Sequence, residues 1–356
     1  MARMSSQIDP AAPDAVSGAL VAYLAARDDL HEARIVEPPA PLGSGFDSFI
    51  YTFRLAGEVA DPRWSRPLVL RLQRNAAVAA QVRRQADVQT FLTRAGYPVP
   101  ALLVAEDAGN AFGLPFMIME RVDGGTVLAG ITGNPLRAGR LLTDLGRLHA
   151  RLHQVTTVGW PLDDGEDPLV SRKLVDMSAR VSRLRLGGCD EALAWLERNA
   201  PTVLPETAVI THNDYHPMNV LLSKDQALLV IDWSDATLGD RHSDVARTLT
   251  LFAFAYIVAS STFERVLLKA ARGYLRSRYR RGYEEAFPLD RKRLAYFEAL
   301  QAAYLLLQLR EMLADPRPGA APSAAAARTM RDLPSLVMQA EAYVRTRIQL
   351  ARRPLG

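Results

Sequence analysis

Residues 210–232 read as an apolar strand, a polar loop, a second apolar strand and then an acid. Three of the side chains, Asp214, Asn219 and Asp232, could serve as oxygen ligands of a metal or as a base. Their order along the chain suggests how they share these roles.

The spacing of Asn219 and Asp232 predicts that a β-hairpin brings them together. If residues 220–231 form two antiparallel arms joined by a turn at 224–227, the arms put Asn219 opposite Asp232, roughly 5 Å apart at Cβ. A carboxylate and an amide carbonyl suit Mg²⁺, which takes few protein ligands and completes its octahedron with water and phosphate oxygens. The pair therefore predicts a magnesium site.

Asp214 has a different predicted role, that of a base. It lies on the same loop as Asn219, five positions earlier. From there it could orient a hydroxyl group and accept its proton while the metal neutralises a transferring phosphoryl group. The order of base, ligand, hairpin and second ligand thus indicates phosphoryl transfer to an alcohol.

This pattern resembles the catalytic loop and metal-binding segment of the aminoglycoside phosphotransferase family, whose members have a protein-kinase-like fold. Matching segments occur in family order at 42–48 (nucleotide loop), 68–71 (third strand), 96–100, 117–120 (hinge), 148–149, 212–219, 231–233 and 239–244. The resemblance spans roughly residues 36 to 250. The catalytic segment is specific, whereas a short glycine pattern alone recurs by chance.

The resemblance implies an α+β fold of two lobes. A small β-rich N-terminal lobe, residues 36–120, would bind the nucleotide, and a larger, mainly helical C-terminal lobe, residues 121–356, would carry catalysis and the acceptor. Residues 1–35 would form a helical extension before the first lobe.

The resemblance also implies an activity and its residues. The γ-phosphoryl group of ATP or GTP would pass, with Mg²⁺, to a hydroxyl of a small metabolite or antibiotic. Asp214 would be the base, and Asn219 with Asp232 would hold the metal. The nucleotide would be bound by Gly43, Ser44, Gly45, Ser48, Arg71, Met119 and Glu120, with backbone groups at 119–121 recognising the purine.

Three positions depart from the family pattern. Asn213 stands where a glycine often follows the loop histidine, Arg71 stands for the phosphate-binding lysine, and Gln85 stands for its helix glutamate. Arginine can hold phosphate in a bidentate manner. Glutamine cannot form the ion pair, so the clamp on the α- and β-phosphates is expected to differ.

Two alternative functions remain open. The Arg71 and Gln85 replacements are compatible with a nucleotide-binding pseudokinase that has a regulatory role. The second alternative is a metal-dependent hydrolase, because His212, Asp214 and His216 alternate and would share one face of a strand, while a helix would place His149 and His153 on one face. Under the kinase interpretation His212 is a packed structural residue and Asp244 accepts hydrogen bonds from loop amides.

The composition is that of a soluble globular protein. The chain has 356 residues, 49% of them hydrophobic and 23% charged, with a net charge of +4. One cysteine, no apolar leader and no apolar run near the roughly 20 residues of a membrane span predict a cytoplasmic protein without a membrane partner. Acidic residues interrupt the arginine-rich stretch 272–293, which predicts a solvated helix pair rather than a nucleic-acid site.

Hydrophobic periodicity and turn residues predict the remaining elements. Strands are expected at 49–53, 68–72 and 116–119, with a flexible connection at 123–125 and a mobile linker at 315–327. Helices are expected at 14–28, 77–95, 135–154, 168–184, 189–199, 242–259, 261–281, 289–314 and 332–352.

Overall fold

The computed structural model describes residues 7–30, 32–44, 48–163, 169–184, 189–200, 207–254, 261–314 and 324–352. The chain divides into two compact units. The first unit comprises Met1–Thr126, Val158–Asp163 and Leu221–Ala236, and the second comprises Val127–Thr157, Asp164–Val220 and Thr237–Gly356. Residues 221–231 of the predicted hairpin thus group with the N-terminal part of the chain.

An antiparallel five-stranded sheet forms most of the first unit. Its strands are β1 (Arg34–Ser44), β2 (Ser48–Ala56), β3 (Pro67–Gln73), β4 (Leu102–Glu106) and β5 (Phe116–Glu120), in the order β1-β2-β3-β5-β4. The predicted strands at 49–53, 68–72 and 116–119 are confirmed as β2, β3 and β5.

Strand β1 was not predicted, because its sequence contains Pro38, Pro39 and Pro41. Proline has no backbone donor and is tolerated only at a sheet edge or a bulge. Strand β1 lies at the edge of the sheet, and its pairing with β2 shifts register three times.

Helix α1 (Pro13–Ala25) belongs to the core of the first unit. Its residues Val16, Leu20 and Leu24 are buried in one cluster with Tyr51 and Phe53 of the sheet. The predicted helix at 14–28 is thereby confirmed, although it ends at Ala25, three residues before the predicted end. Its burial supplies apolar contact area that the small sheet needs to be stable.

Helix α2 (Ala79–Arg94) packs on the same sheet. Val82 and Ala86 of α2 contact Met117 of β5. The helix is followed by Gly96, whose φ of 71° is the left-handed conformation that glycine adopts easily at a helix end. The predicted helix 77–95 and its termination at Gly96 are confirmed.

A second, three-stranded sheet contains β6 (Gly124–Thr126), β8 (Val220–Ser223) and β9 (Leu228–Val230). The predicted turn is confirmed, since the Ser223 amide donates to the Ala227 carbonyl at 2.9 Å and Gln226 has a φ of 67°. The expected flexible connection at 123–125 is wrong in part, because Gly124 and Gly125 lie in β6 and pair with β8.

The second unit is mainly helical. Two short strands, β7 (Val209–Thr211) and β10 (Thr237–Gly239), pair antiparallel within it. The helices are α3 (Val127–Gly133), α4 (Ala138–Leu152), α5 (Leu169–Leu184), α6 (Asp190–Asn199), α7 (Arg241–Ala253), α8 (Thr262–Glu284), α9 (Arg291–Ala314) and α10 (Ala324–Arg352). The predicted α+β composition, strands first and helices after, is confirmed.

Two helix predictions need correction. Helix α7 ends at Ala253 rather than at 259, and residues 255–260 lie outside the described part of the chain. The predicted linker is wrong at 324–327, which form the start of α10, while 315–323 are also outside the described residues. Within the described part of the chain, no helix combines the length and apolar character that crossing a bilayer requires.

Glycines allow helices α4 and α8 to approach each other closely. A Cβ on Gly146 of α4 would overlap the Tyr279 carbonyl oxygen of α8, and a Cβ on Gly282 of α8 would overlap the Thr143 carbonyl oxygen of α4. The two backbones are therefore nearly in contact. This arrangement aligns side chains of α4 with side chains of α8, which matters for the site described next.

We expect Gly146→Ala to lower the free energy of unfolding by roughly 1–3 kcal/mol, because the added methyl group cannot be accommodated between two backbones. Gly18→Ala is the control. Gly18 lies inside α1 with nothing near its missing Cβ, so alanine there should stabilise by about 0.5–1 kcal/mol. Urea unfolding of both variants measures the difference, and equal stabilities would contradict the close packing.

Candidate active site

The segment that carries the predicted base is a loop of the second unit. Strand β7 ends at Thr211, and residues 212–219 follow without regular structure. Asn213 has a φ of 61°, the left-handed conformation. The hydrolase hypothesis required 212–216 to be a strand with three ligands on one face, and that premise is wrong.

Asp244, in the first turn of α7, anchors the start of this loop. Its Oδ2 accepts the His212 amide at 2.7 Å and its Oδ1 accepts the Asn213 amide at 2.8 Å. Asp244 and His212 are fully buried. The roles predicted for Asp244, as an acceptor of loop amides, and for His212, as a packed structural residue, are confirmed.

The same carboxylate accepts hydrogen bonds from two histidines of α4. His149 Nε2 and His153 Nε2 lie 2.9 and 3.3 Å from Asp244 Oδ2. Their Nδ1 atoms lie 2.6 Å from the hydroxyls of Tyr279 and Tyr283 on α8. If both Nε2 atoms carry the proton and both tyrosines donate, every one of these polar atoms is satisfied with neutral imidazoles.

We call this group the histidine network (His149, His153, Asp244, Tyr279 and Tyr283). Its burial and its contacts account for the pKa shifts of His153 and Asp244. Burial and the neighbouring His149 lower the pKa of His153 to about 4, and the hydrogen bond to Asp244 compensates only in part. Burial opposes ionisation of Asp244, but the two histidines hold its pKa well below the usual range. Three of the residues could ligate a metal, yet the network is complete without one.

Asp214 accepts three hydrogen bonds from nearby side chains. His216 Nε2 and Asn219 Nδ2 lie 3.2 and 3.1 Å from Oδ2, and Arg247 Nη2 lies 3.3 Å from Oδ1. The side chain keeps 32% of its surface exposed. Since an ionised carboxylate has about four lone-pair positions, roughly one is left for a substrate hydroxyl.

The charge state of Asp214 follows from these neighbours. Burial alone would raise its pKa, but the hydrogen bond from His216 and the electrostatic interactions with His216, Arg247 and His212 lower it to about 2. Asp214 is therefore ionised at neutral pH and can accept a proton.

Asn219 is oriented by the backbone and side chain of Asp214. Its Nδ2 donates to the Asp214 carbonyl at 3.0 Å as well as to the carboxylate. This turns the side-chain oxygen of Asn219 away, and among the described residues no donor is bonded to it. An uncommitted amide oxygen fits the oxygen-ligand chemistry of Mg²⁺.

The first unit brings together three residues of the predicted nucleotide and metal sites, Ser48, Arg71 and Asp232, with Gln85 beside them. Arg71 donates from Nε to Ser48 Oγ at 3.2 Å and from Nη1 to Gln85 Oε1 at 3.3 Å. Its two terminal nitrogens each lie 3.4 Å from Asp232 Oδ1. Gln85 thus takes the place of an ion-pair partner as a neutral acceptor, and Asp232 supplies the negative charge.

The backbone at Asp232 is strained. Its φ is 66°, in the left-handed region that residues other than glycine rarely adopt. Ser234 Oγ lies 3.3 Å from Asp232 Oδ1. Because Asp232 belongs to the first unit and Asn219 to the second, their joint metal site stays a prediction.

The structure describes some of the other predicted nucleotide ligands but not all of them. Gly43 and Ser44 end strand β1, opposite Ile50 and Phe49 of β2, whereas Gly45 lies outside the described residues.

Met119 and Glu120 end strand β5. The Glu120 amide donates to Ala101 and the Arg121 amide to Pro67, so these two donors are already used within the sheet. Purine recognition at 119–121 stays a prediction, and it would have to use other backbone groups.

Arg247 was missed in the sequence analysis. It lies on α7, one helical turn after Asp244, and only the folded chain brings it to Asp214. A single arginine on an amphipathic helix gives no signal of its own in the sequence. The spacing from Asp244 to Arg247, which puts both on one side of α7, was the only available indication.

One family model matches most of the chain. Residues 40–288 match the model of the phosphotransferase enzyme family. A curated relative, acyl-CoA dehydrogenase family member 10 of Mus musculus, is 25% identical over 210 residues, which are 55% of this chain and 19% of the relative. The match thus spans about a fifth of that protein.

Solved structures show the same fold. A putative aminoglycoside phosphotransferase from Ralstonia eutropha JMP134 aligns with a TM-score of 0.62 at 17% identity, over 94% of this chain and 98% of that one. Aminoglycoside phosphotransferase APH(4)-Ia, in a ternary complex with AMP-PNP and hygromycin B, aligns at 0.61 and 18%, over 90% and 96%. An ethanolamine kinase of Plasmodium vivax aligns at 0.55 and 10%, over 88% and 84%. The predicted kinase-like fold is confirmed.

The histidine network predicts a loss of stability in mild acid. Between pH 6.5 and about 4 an unfolded chain binds a proton at His153 while the folded chain does not, so the free energy of unfolding should fall as the pH falls through this window. Urea unfolding between pH 4.5 and 7.5 measures the slope. In His153→Gln, which lacks the titrating group, this part of the slope should be absent, and an unchanged slope would contradict the assignment.

Proposed function

We propose that this chain, which belongs to the phosphotransferase enzyme family, is a small-molecule kinase that transfers the γ-phosphoryl group of ATP or GTP to a hydroxyl group. The observation that carries the proposal is the ionised carboxylate of Asp214, which keeps one lone-pair position open on a loop that Asp244 holds in place. That is the geometry a base needs to orient an alcohol.

In this proposal Asp214 binds the acceptor hydroxyl and takes its proton as transfer proceeds. Its three donors fix the direction of the carboxylate, so the alcohol oxygen is held where it can attack. Phosphoryl transfer depends mostly on positioning and charge stabilisation, and a fixed acceptor addresses the first requirement.

Asn219 and Asp232 would hold Mg²⁺, which when bound neutralises charge on the phosphates. The uncommitted amide oxygen of Asn219 and the carboxylate of Asp232 support this assignment. Arg71 would contact phosphate oxygens. Its long, 3.4 Å contacts to Asp232 support a guanidinium that can turn from the carboxylate to a phosphate when the nucleotide binds.

Relatives support the choice of co-substrates. The complex of APH(4)-Ia contains AMP-PNP together with hygromycin B. A nucleoside triphosphate and a small hydroxyl compound are therefore proposed for this chain as well.

We expect Asp214→Asn to reduce turnover by roughly 10²–10⁴-fold, because an amide cannot accept the proton, and to leave nucleotide affinity near that of the unchanged protein. Asp225→Ala, in the exposed hairpin turn, is the control and should leave turnover unchanged. Release of nucleoside diphosphate and a binding titration with AMP-PNP measure the two effects. Near-normal turnover of Asp214→Asn would exclude its role as base.

Asp232→Ala should impair metal binding rather than proton transfer. Removing the carboxylate should weaken the binding of nucleotide with Mg²⁺ and raise the Mg²⁺ concentration needed for half-maximal turnover. Titration with Mg²⁺ at fixed nucleotide measures this shift. A magnesium requirement equal to that of the unchanged protein would refute Asp232 as a ligand, and nucleotide binding without any transfer would favour the pseudokinase alternative.

A further inference from the structure

His216 is held at three points within the loop that carries Asp214. Its ring Nε2 lies 3.2 Å from Asp214 Oδ2, and its ring Nδ1 accepts the backbone amide of Met218 at 3.2 Å. Its carbonyl oxygen accepts the Asn219 amide at 2.9 Å. Pro217, whose ring restricts the backbone, lies between these partners. The imidazole therefore has a defined place beside the carboxylate of the proposed base.

The Met218 contact determines which ring nitrogen of His216 carries the proton. A backbone amide can only donate, so Nδ1 must be the nitrogen with the lone pair, and the proton of the neutral ring must lie on Nε2. A charged imidazolium would instead place a second N–H against the Met218 amide. Nε2 is consequently a donor, and Asp214 Oδ2 accepts from it.

The two carboxylate oxygens of Asp214 differ in the donors that they hold. Oδ2 accepts from His216 and from Asn219 Nδ2, the latter at 3.1 Å, so both of its lone pairs are engaged. Among the described residues, Oδ1 accepts from Arg247 alone, at 3.3 Å. One lone pair of Oδ1 is left, and an alcohol that binds Asp214 would use it.

We propose that His216 is a positioning residue: its N–H holds Asp214 Oδ2, so that Oδ1 stays turned toward the acceptor hydroxyl and takes its proton. Rotation of a carboxylate about its last side-chain bond is otherwise little restricted, because this torsion has broad energy wells. A donor on Oδ2 removes that freedom before the acceptor binds. This inference rests on the proposed function, because it deepens the role of Asp214 as base.

The contacts of His216 exclude two other roles for its ring. As the alcohol oxygen bonds to phosphorus and the nucleoside diphosphate leaves, the alcohol proton passes to Asp214 Oδ1. Nε2 already carries a proton, so the ring in this tautomer cannot take that proton on from Asp214. The N–H of the ring is donated to Asp214, so no donor is left for a phosphate oxygen. His216 thus acts through Asp214 and does not itself touch the substrate.

Two amide variants separate the two contacts of the ring. The amide nitrogen of glutamine lies as many bonds from Cβ as Nε2 does, so His216→Gln can still donate to Asp214. The amide oxygen of asparagine lies as many bonds from Cβ as Nδ1 does, so His216→Asn can accept the Met218 amide but does not reach Asp214. If donation to Oδ2 is what matters, glutamine preserves the function of the residue and asparagine does not.

We expect His216→Asn to lower kcat by roughly 10–100-fold, the loss that corresponds to one hydrogen bond to a charged group. KM for the nucleotide and for the alcohol should change little, because the ring contacts neither. His216→Gln should retain most of the turnover. The assay is release of nucleoside diphosphate with Mg²⁺ and ATP or GTP, using the fastest alcohol of a panel of sugars, nucleosides, amino alcohols and hygromycin B. Asp225→Ala, in the exposed hairpin turn, is the control and should change neither kcat nor KM.

A second measurement needs no acceptor. In protein labelled with ¹⁵N at histidine, the chemical shifts of the imidazole nitrogens show which of them carries the proton. The resonances that disappear in His216→Gln are those of His216. At about pH 8.5, where an ordinary imidazole is neutral, we expect the proton of His216 on Nε2. A proton on Nδ1 would overturn the positioning role.

Failure of this role and failure of the proposed function give different results. Near-normal kcat in His216→Asn, or a larger loss in His216→Gln than in His216→Asn, would refute the positioning role and leave the kinase assignment intact. Weaker binding of AMP-PNP to both variants would indicate a phosphate contact and would refute it as well. Absence of transfer by the unchanged protein to every alcohol would overturn the kinase assignment itself. If thermal melting shows that His216→Asn does not fold, the tautomer and the turnover of His216→Gln decide: a proton on Nδ1, or a large loss of turnover, would refute the role.

Discussion

The buried carboxylate of Asp244 is the interaction on which the rest of the site depends. It accepts four hydrogen bonds, two from the loop amides of His212 and Asn213 and two from the imidazoles of His149 and His153. Three of these donors reach Oδ2 and one reaches Oδ1, so displacing a partner would take a hydrogen bond from a fully buried carboxylate. Asn213, whose amide is one of these donors, has a left-handed backbone conformation.

The constraint extends from the loop to two helices. The histidines of α4 are four residues apart, as are Tyr279 and Tyr283 of α8, so the pairs meet one above the other when the helices lie close together. Gly146 permits that approach. The start of the loop, at His212 and Asn213, is consequently tied to the packing of these helices through one carboxylate.

Local spacing explains which parts of the site could be predicted. The hairpin turn, the contact between Asp214 and Asn219, and the helix pattern all depend on residues close in sequence. Arg247 reaches Asp214 only through the packing of α7 against the loop, which no local pattern encodes. Strand β1 escaped prediction for another reason, since its prolines are compatible with a strand only because it lies at a sheet edge.

The low pKa of Asp214 bears on the role of base that we propose for it. A carboxylate with a pKa of about 2 does not remove a proton from a free alcohol, so its contribution would lie in orientation and in accepting the proton once the oxygen has begun to bond to phosphorus. Arg247 contributes to this low value.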